Sequence, residues 1–162
     1  MKNPRVNSFY IQWKTMVWWV NFYLDPLSDE DFKRKYCKGK NHGIWLLGHL
    51  IAAEDDFATY MGKGDFLFPE YQKIFANKSK VLSLEKYPLA AQLRKEWKSV
   101  CERNEKIYQN LQDIELDEAH ALLKGKIEDD WFKTKEGIIV NWIAHQLHHS
   151  GHLALLKARK KQ

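Results

Sequence analysis

Four of the chain's seven histidines fall within one short stretch near the C-terminus: His145, His148, His149 and His152. Histidine is the commonest side-chain ligand for metal ions and titrates near neutral pH, so such a cluster indicates metal or proton chemistry. On a helix, residues four positions apart lie one above the other. This spacing pairs His145 with His149, and His148 with His152.

The segment from about Lys135 to Ala158 is predicted to be a helix, because its apolar residues recur at helical spacing without a proline. At about 100° per residue, His145 and His149 lie within one narrow apolar stripe. His148 is rotated well off that stripe, and His152 lies at its edge. Two imidazoles carried into an apolar interior are costly unless a partner satisfies them, and a divalent metal ion would do so. A third ligand must then come from elsewhere in the chain.

His49 is the candidate for that third ligand. It lies on the inward face of a second predicted helix, from about Ile44 to Met61, beside small residues that allow close helix packing. A lone histidine there is more typical of a hydrogen-bonded core residue, but two inward partners on the last helix favour a shared site. Three neutral imidazoles hold an ion at about 2.0–2.1 Å and leave positions open for water or substrate. The metal could then lower the pKa of a bound water or hold a thiol as its thiolate. Zinc suits this set, and nickel, iron, copper and manganese are not excluded by ligand type.

Two carboxylates on the same helix are possible partners of the metal ligands. Asp56 has the better angle, whereas Glu54 is expected to be solvated. His120 lies in an acidic connection and is expected to be exposed to solvent. The sequence assigns no general base.

Four long amphipathic segments must position these side chains, and they predict an all-α four-helix bundle. The first and third run from about Asn7 to Leu24 and from about Leu89 to Leu111, with Leu89 on the inward face. Ser28 and Asp31 predict a capped short helix. Residues 65–87 form an aromatic connection, either an apolar plug or a pocket lid. Residues 112–134 form a second long connection with a turn at Gly125.

Length and composition favour one soluble domain over residues 1–162, with 44% hydrophobic and 29% charged residues. No apolar run approaches the roughly 20 residues of a membrane span, and the N-terminus lacks the features of a signal peptide. Cys37 and Cys101 show no disulfide spacing, which predicts a reducing, cytoplasmic setting. The net charge of +5 is spread over the chain and includes a basic tail, residues 157–161. This distribution disfavours nucleic-acid binding.

Two motifs resemble those of the DinB-like superfamily, the damage-inducible four-helix proteins. Trp45-Leu-Leu-Gly-His-Leu-Ile-Ala-Ala-Glu54 resembles the family's second-helix signature. His145-Gln-Leu-His-His-Ser-Gly-His-Leu153 resembles its fourth-helix pattern, His-x-x-x-His-x-Gly-Gln. The likeness extends over nearly the whole chain. By motif position, the family's three metal ligands fall on His49, His145 and His149.

The resemblance implies a down-up-up-down bundle, often a homodimer, that holds a divalent metal, often zinc or nickel. It also implies a small-molecule substrate and either hydrolysis or transfer or isomerisation with a low-molecular-weight thiol. The usual Gln is His152 here, which adds a possible fourth nitrogen near the metal or a donor to its ligands. The alternative is a non-catalytic bundle that binds metal or a small ligand for stability or sensing. A nucleic-acid or partner-binding module is a third, weaker interpretation.

Overall fold

The computed structural model describes residues 3–77, 79–124 and 132–158, and within them the chain is all-α. The predicted turn at Gly125 and the end of the basic tail lie outside the described residues. Six α-helices are present among the described residues: α1 (Pro4–Leu24), α2 (Asp29–Lys33), α3 (Gly43–Met61), α4 (Tyr71–Ile74), α5 (Ala90–Asn110) and α6 (Lys135–Ala158). Two 3₁₀ turns, Leu84–Lys86 and Asp113–Asp117, lie in the connections before and after α5.

Local chemistry explains where the helices begin and end. Helix α1 begins three residues before the predicted Asn7, because Pro4 occupies its first turn, where a missing N–H costs nothing. Ser28 and Asp31 form the predicted capping box of α2. The start of helix α3 is capped by His42, whose Nδ1 accepts a hydrogen bond from the Trp45 N–H. The helix is capped at its end by Gly62, whose φ of 66° is the left-handed conformation that glycine adopts without strain.

The long helices α1, α3, α5 and α6 pack around one apolar core. Helix α1 packs along α6 and α5, and α3 packs along α5 and α6. The prediction that Leu89 faces inward is wrong: its side chain is 75% exposed, because it precedes the first turn of α5 instead of lying on its packed face. None of the described helices combines the length and apolar content that a membrane crossing requires.

A buried polar network joins the four long helices at the centre of the core. The Glu54 carboxylate accepts hydrogen bonds from Trp13 Nε1 (3.2 Å), Asn104 Nδ2 (2.8 Å) and Gln146 Nε2 (3.0 Å). The prediction that Glu54 is solvated is therefore wrong, since the residue is only 2% exposed. A carboxylate at this depth needs several donors, and one residue from each of the other three helices provides one.

Candidate metal centre

The structure brings together the three histidines that the sequence singled out. His49 lies on α3, and His145 and His149 lie one turn apart on α6, which packs along α3. One ring nitrogen from each lies within 4.8 Å of the others. The Nε2 atoms of His49 and His145 are 3.1 Å apart. Two ligands held about 2.1 Å from one ion are themselves about 3–3.4 Å apart, so this pair already has the separation of a chelating pair.

The protonation of the His49 ring follows from its hydrogen bond to the backbone. His49 Nδ1 donates to the carbonyl oxygen of Phe75 at 2.8 Å, because a carbonyl can only accept. In the neutral ring, Nε2 is then unprotonated and directs its lone pair toward His145. Stacking on Trp45, with 4.8 Å between ring centroids and 13° between planes, also restrains the ring. A metal-ligating histidine commonly donates its other nitrogen to a carbonyl in this way.

Gly48 allows the Phe75 carbonyl to reach His49. A Cβ at Gly48 would lie 2.3 Å from two atoms of the Phe75 ring, so only glycine permits this approach. The ring of Phe75 is buried and stacks on Tyr87, 5.5 Å away. The connection between α3 and α5 therefore acts as an apolar plug here, and its residues 72–77 also form one wall of a cavity beside the histidines.

The histidines of α6 lie at the edge of the core, not at its centre. Gln146 is fully buried, with 0% exposure, as are the apolar residues Ile139, Leu153 and Leu156 of the same helix. His145, His149 and His152 are only half-buried. The face of α6 that packs into the core therefore differs from the predicted one. It includes Gln146, whose side chain donates to the buried Glu54 carboxylate. From this position His145 reaches the wall of the adjoining cavity.

Burial keeps the three histidines neutral at physiological pH. Burial first, and then the nearby His49 and His148, lower the pKa of His145 to about 4. Burial and the neighbouring histidines, His145 foremost, lower the pKa of His149 to about 3. The pKa of His49 is also lowered by burial, with its bond to Phe75 opposing the shift. Neutral imidazole is the form that binds metal ions, so this donor set fits a divalent cation.

A cavity of about 260 Å³ opens beside His49 and His145. Apolar walls come from Trp142 and Phe75, and polar groups include Asp56. Burial, and then the charge of Asp55, raise the pKa of Asp56 to about 7. The cavity therefore holds a carboxyl group that exchanges its proton near neutral pH.

The remaining histidines occupy different surroundings. His152 stacks on Tyr36 with 4.6 Å between ring centroids, and its Nδ1 lies 3.2 Å from Nδ1 of His149. His148 is exposed. The prediction that His120 is exposed is wrong: it is only 5% exposed, because its ring packs edge-on against Tyr60 of α3 at 5.0 Å.

Sequence reasoning missed the contribution of the backbone to this site. The Phe75 carbonyl, which orients His49, lies in a segment whose residue types show no ligand pattern. Gly48 offered a signal, because a glycine in the middle of an apolar helix marks a close approach by another part of the chain.

These features define an all-α protein with a three-histidine cluster between α3 and α6. Comparison with known protein families matches residues 19–153 to the DinB superfamily. The match covers most of the chain, and the protein belongs to this superfamily. No curated protein matches the chain.

Proposed function

We propose that His49, His145 and His149 together bind one divalent metal ion and that the protein is a metal-dependent enzyme acting on a small molecule. The observation that carries the proposal is the unprotonated His49 Nε2, held 3.1 Å from His145 Nε2 by the bond to Phe75. Zinc and nickel are the preferred ions; iron also suits imidazole ligands, and manganese, which prefers oxygen ligands, is a further candidate. The reaction class is hydrolysis, or transfer or isomerisation using a low-molecular-weight thiol.

When bound, the ion would act as a Lewis acid and favour the ionised form of a coordinated thiol or water. The chain's own residues supply the remaining functions. Trp142 and Phe75 give the cavity apolar walls, and Asp56 can accept or release a proton at its carboxylate near pH 7. His152 supports the site by holding its Nδ1 against His149.

A non-catalytic bundle, in which the metal serves stability or sensing, is the competing function. The 260 Å³ cavity favours an enzyme, because an ion with only a structural role is usually enclosed by four protein ligands. If the competing function holds, metal removal lowers the melting temperature and no substrate is turned over.

Metal analysis of the purified protein tests the proposal. We expect about one equivalent of zinc, nickel or iron in the parent and almost none in a His145→Ala/His149→Ala variant. Gln72→Ala, which changes the cavity wall without removing a nitrogen ligand, serves as the control and should keep its metal. A parent that takes up no metal after reconstitution contradicts the proposal. Thiols with electrophiles, and then simple esters and amides, are the first substrates to screen.

We also propose that the four long helices form a single down-up-up-down domain that dimerises through α1 and α6. Their outward faces carry large apolar side chains that are 38–56% exposed: Ile11, Trp18, Trp19 and Phe22 on α1, and Val140, Leu147 and Leu155 on α6. Trp18 and Phe22 stack with 5.4 Å between ring centroids. Because α1 packs along α6 and these residues point away from the core, they form one face, here termed the α1/α6 face.

The size and charge of the α1/α6 face favour a second copy as its partner. It holds seven large apolar side chains, each 38–56% exposed, on two packed helices, and a stable interface buries roughly 800 Å² on each partner. Residues 137–156 contain no Asp, Glu, Lys or Arg. A membrane-binding helix would carry basic residues beside its apolar face, so a self-complementary apolar contact suits this surface better.

The free thiols of Cys37 and Cys101 support the proposal of a cytoplasmic setting.

A further inference from the structure

A second histidine set adjoins the three-histidine cluster on its solvent side. His148, His149 and His152 each place one ring nitrogen within 4.8 Å of the other two. All three lie on one turn of α6, and His149 belongs to both sets. The first set spans two helices and has His49 and His145 on the cavity wall, whereas the second lies on one helix and reaches the surface through His148.

The geometry of the second set suits a metal ion. His149 Nδ1 and His152 Nδ1 are 3.2 Å apart, within the range of about 3–3.4 Å for two ligands on one ion. His148 and His152 are four residues apart, the spacing at which two side chains on a helix reach the same ion. Their ring centroids are 4.8 Å apart.

The surroundings hold part of this set in place and leave the rest accessible. Tyr36 stacks on His152 with 15° between the ring planes, which restrains the imidazole. His148 is exposed and free to complete a site by side-chain rotation. His148 is thus exposed, whereas His149 and His152, like His49 and His145, are half-buried.

We propose that His148, His149 and His152 form a second, outer divalent-metal site through which the ion reaches His49 and His145. The ligand is a divalent transition-metal ion that accepts three imidazoles, zinc being the representative case. Because His149 serves both sets, an ion held outside can exchange His148 and His152 for the two inner histidines without leaving the protein. The outer site stands on its own geometry, while the route inward rests on the proposed core site.

Zinc binding by a core-disrupted protein tests the outer site. In a His49→Ala/His145→Ala variant, titration against a chromophoric chelator should show one equivalent of zinc, bound at least tenfold more weakly than by the parent. Adding His148→Ala and His152→Ala should abolish this binding. Circular dichroism in EDTA checks that both variants keep the helical content of the parent.

Stopped-flow zinc uptake by an otherwise intact protein tests the route. His148→Ala/His152→Ala should still bind one equivalent at the core but take it up at least tenfold more slowly than the parent. Gly151→Ala, an exposed substitution on the same stretch of α6 whose added Cβ meets nothing within 4 Å, should leave the rate unchanged. Two results would overturn the proposal: no zinc binding by the core-disrupted variant, or uptake that is as fast without His148 and His152.

These outcomes are separable from failure of the proposed enzyme site. If the core histidines bind zinc and the outer set does not, only this inference is overturned. If the His49→Ala/His145→Ala variant instead binds zinc as tightly as the parent, the result argues against the core site and supports the outer one.

Discussion

Asp56 is a carboxyl group whose folded surroundings disfavour its charge. Burial, and then Asp55, raise its pKa from 3.8 to about 7, so between these values the folded protein holds a proton that the unfolded chain releases. Protonated Asp56 therefore contributes its full stabilisation, as free energy of unfolding, below pH 3.8. This contribution is lost as the pH rises through 7. The sign is opposite for His145 and His149, whose lowered pKa values cost stability as the pH falls below 6.5.

Replacing Asp56 by Asn should remove the cost of holding a charged carboxylate in this buried position at high pH. In EDTA, Asp56→Asn should raise the free energy of unfolding at pH 8 by on the order of 1–2 kcal/mol, with little change at pH 4. Thermal unfolding from pH 4 to 9 measures the difference, with the exposed Asp65→Asn as control. A gain that is the same at every pH would contradict the assigned pKa of Asp56.

Glu54 is the residue on which the central network depends. Glu54→Ala should lower the free energy of unfolding by about 3–5 kcal/mol, because the buried Trp13 N–H loses its acceptor and the amides of Asn104 and Gln146 each lose one of two acceptors. Glu54→Gln retains the volume and one acceptor oxygen, so its loss should be smaller. Urea denaturation compares both variants with Glu102→Ala, an exposed control on α5. Equal stability of Glu54→Ala and the parent would show that the network does not stabilise the fold.

At the scale of elements, the contact between α3 and the 72–77 segment determines how His49 is held. Gly48→Ala would force the Phe75 ring away, since the new Cβ would lie 2.3 Å from it. The Phe75 carbonyl would then move from His49 Nδ1, and we expect a 10–100-fold loss of metal affinity. Chelator competition measures that affinity.

Gly151→Ala is the matched control for that element. A Cβ there meets nothing within 4 Å, and alanine favours the helix over glycine by roughly 0.5–1 kcal/mol, so this variant should be slightly stabilised with unchanged affinity. If Gly48→Ala binds metal as tightly as Gly151→Ala, the Phe75 carbonyl does not position His49.

At the scale of the whole molecule, the α1/α6 face predicts the oligomeric state. The 19.3 kDa chain should sediment as a dimer, and Trp18→Lys/Leu147→Lys should convert it to a monomer, because two positive charges would be buried against an identical face. Leu89→Lys, at an exposed apolar residue before α5, should leave the dimer intact. A monomeric parent at micromolar concentration would contradict the proposed interface. Sedimentation velocity distinguishes these outcomes.

The sequence by itself determined the all-α fold and which histidines could meet. Helical periodicity depends only on the order of apolar residues, so the long helices were predicted to within a few residues at most ends. The spacing of His145 and His149, with His49 on an inward face, identified the residues that the structure brings within 4.8 Å. That these three bind a metal stays a prediction.

Only the tertiary structure decided how those side chains are held and what lies at the centre of the core. A helical wheel gives relative angles on one helix but not the angle at which neighbouring helices pack. For this reason Glu54 and Gln146 are buried, whereas His145 and His149 are only half-buried. The Phe75 carbonyl at His49 and the burial of His120 against Tyr60 have the same physical origin: each depends on contacts between segments distant in sequence.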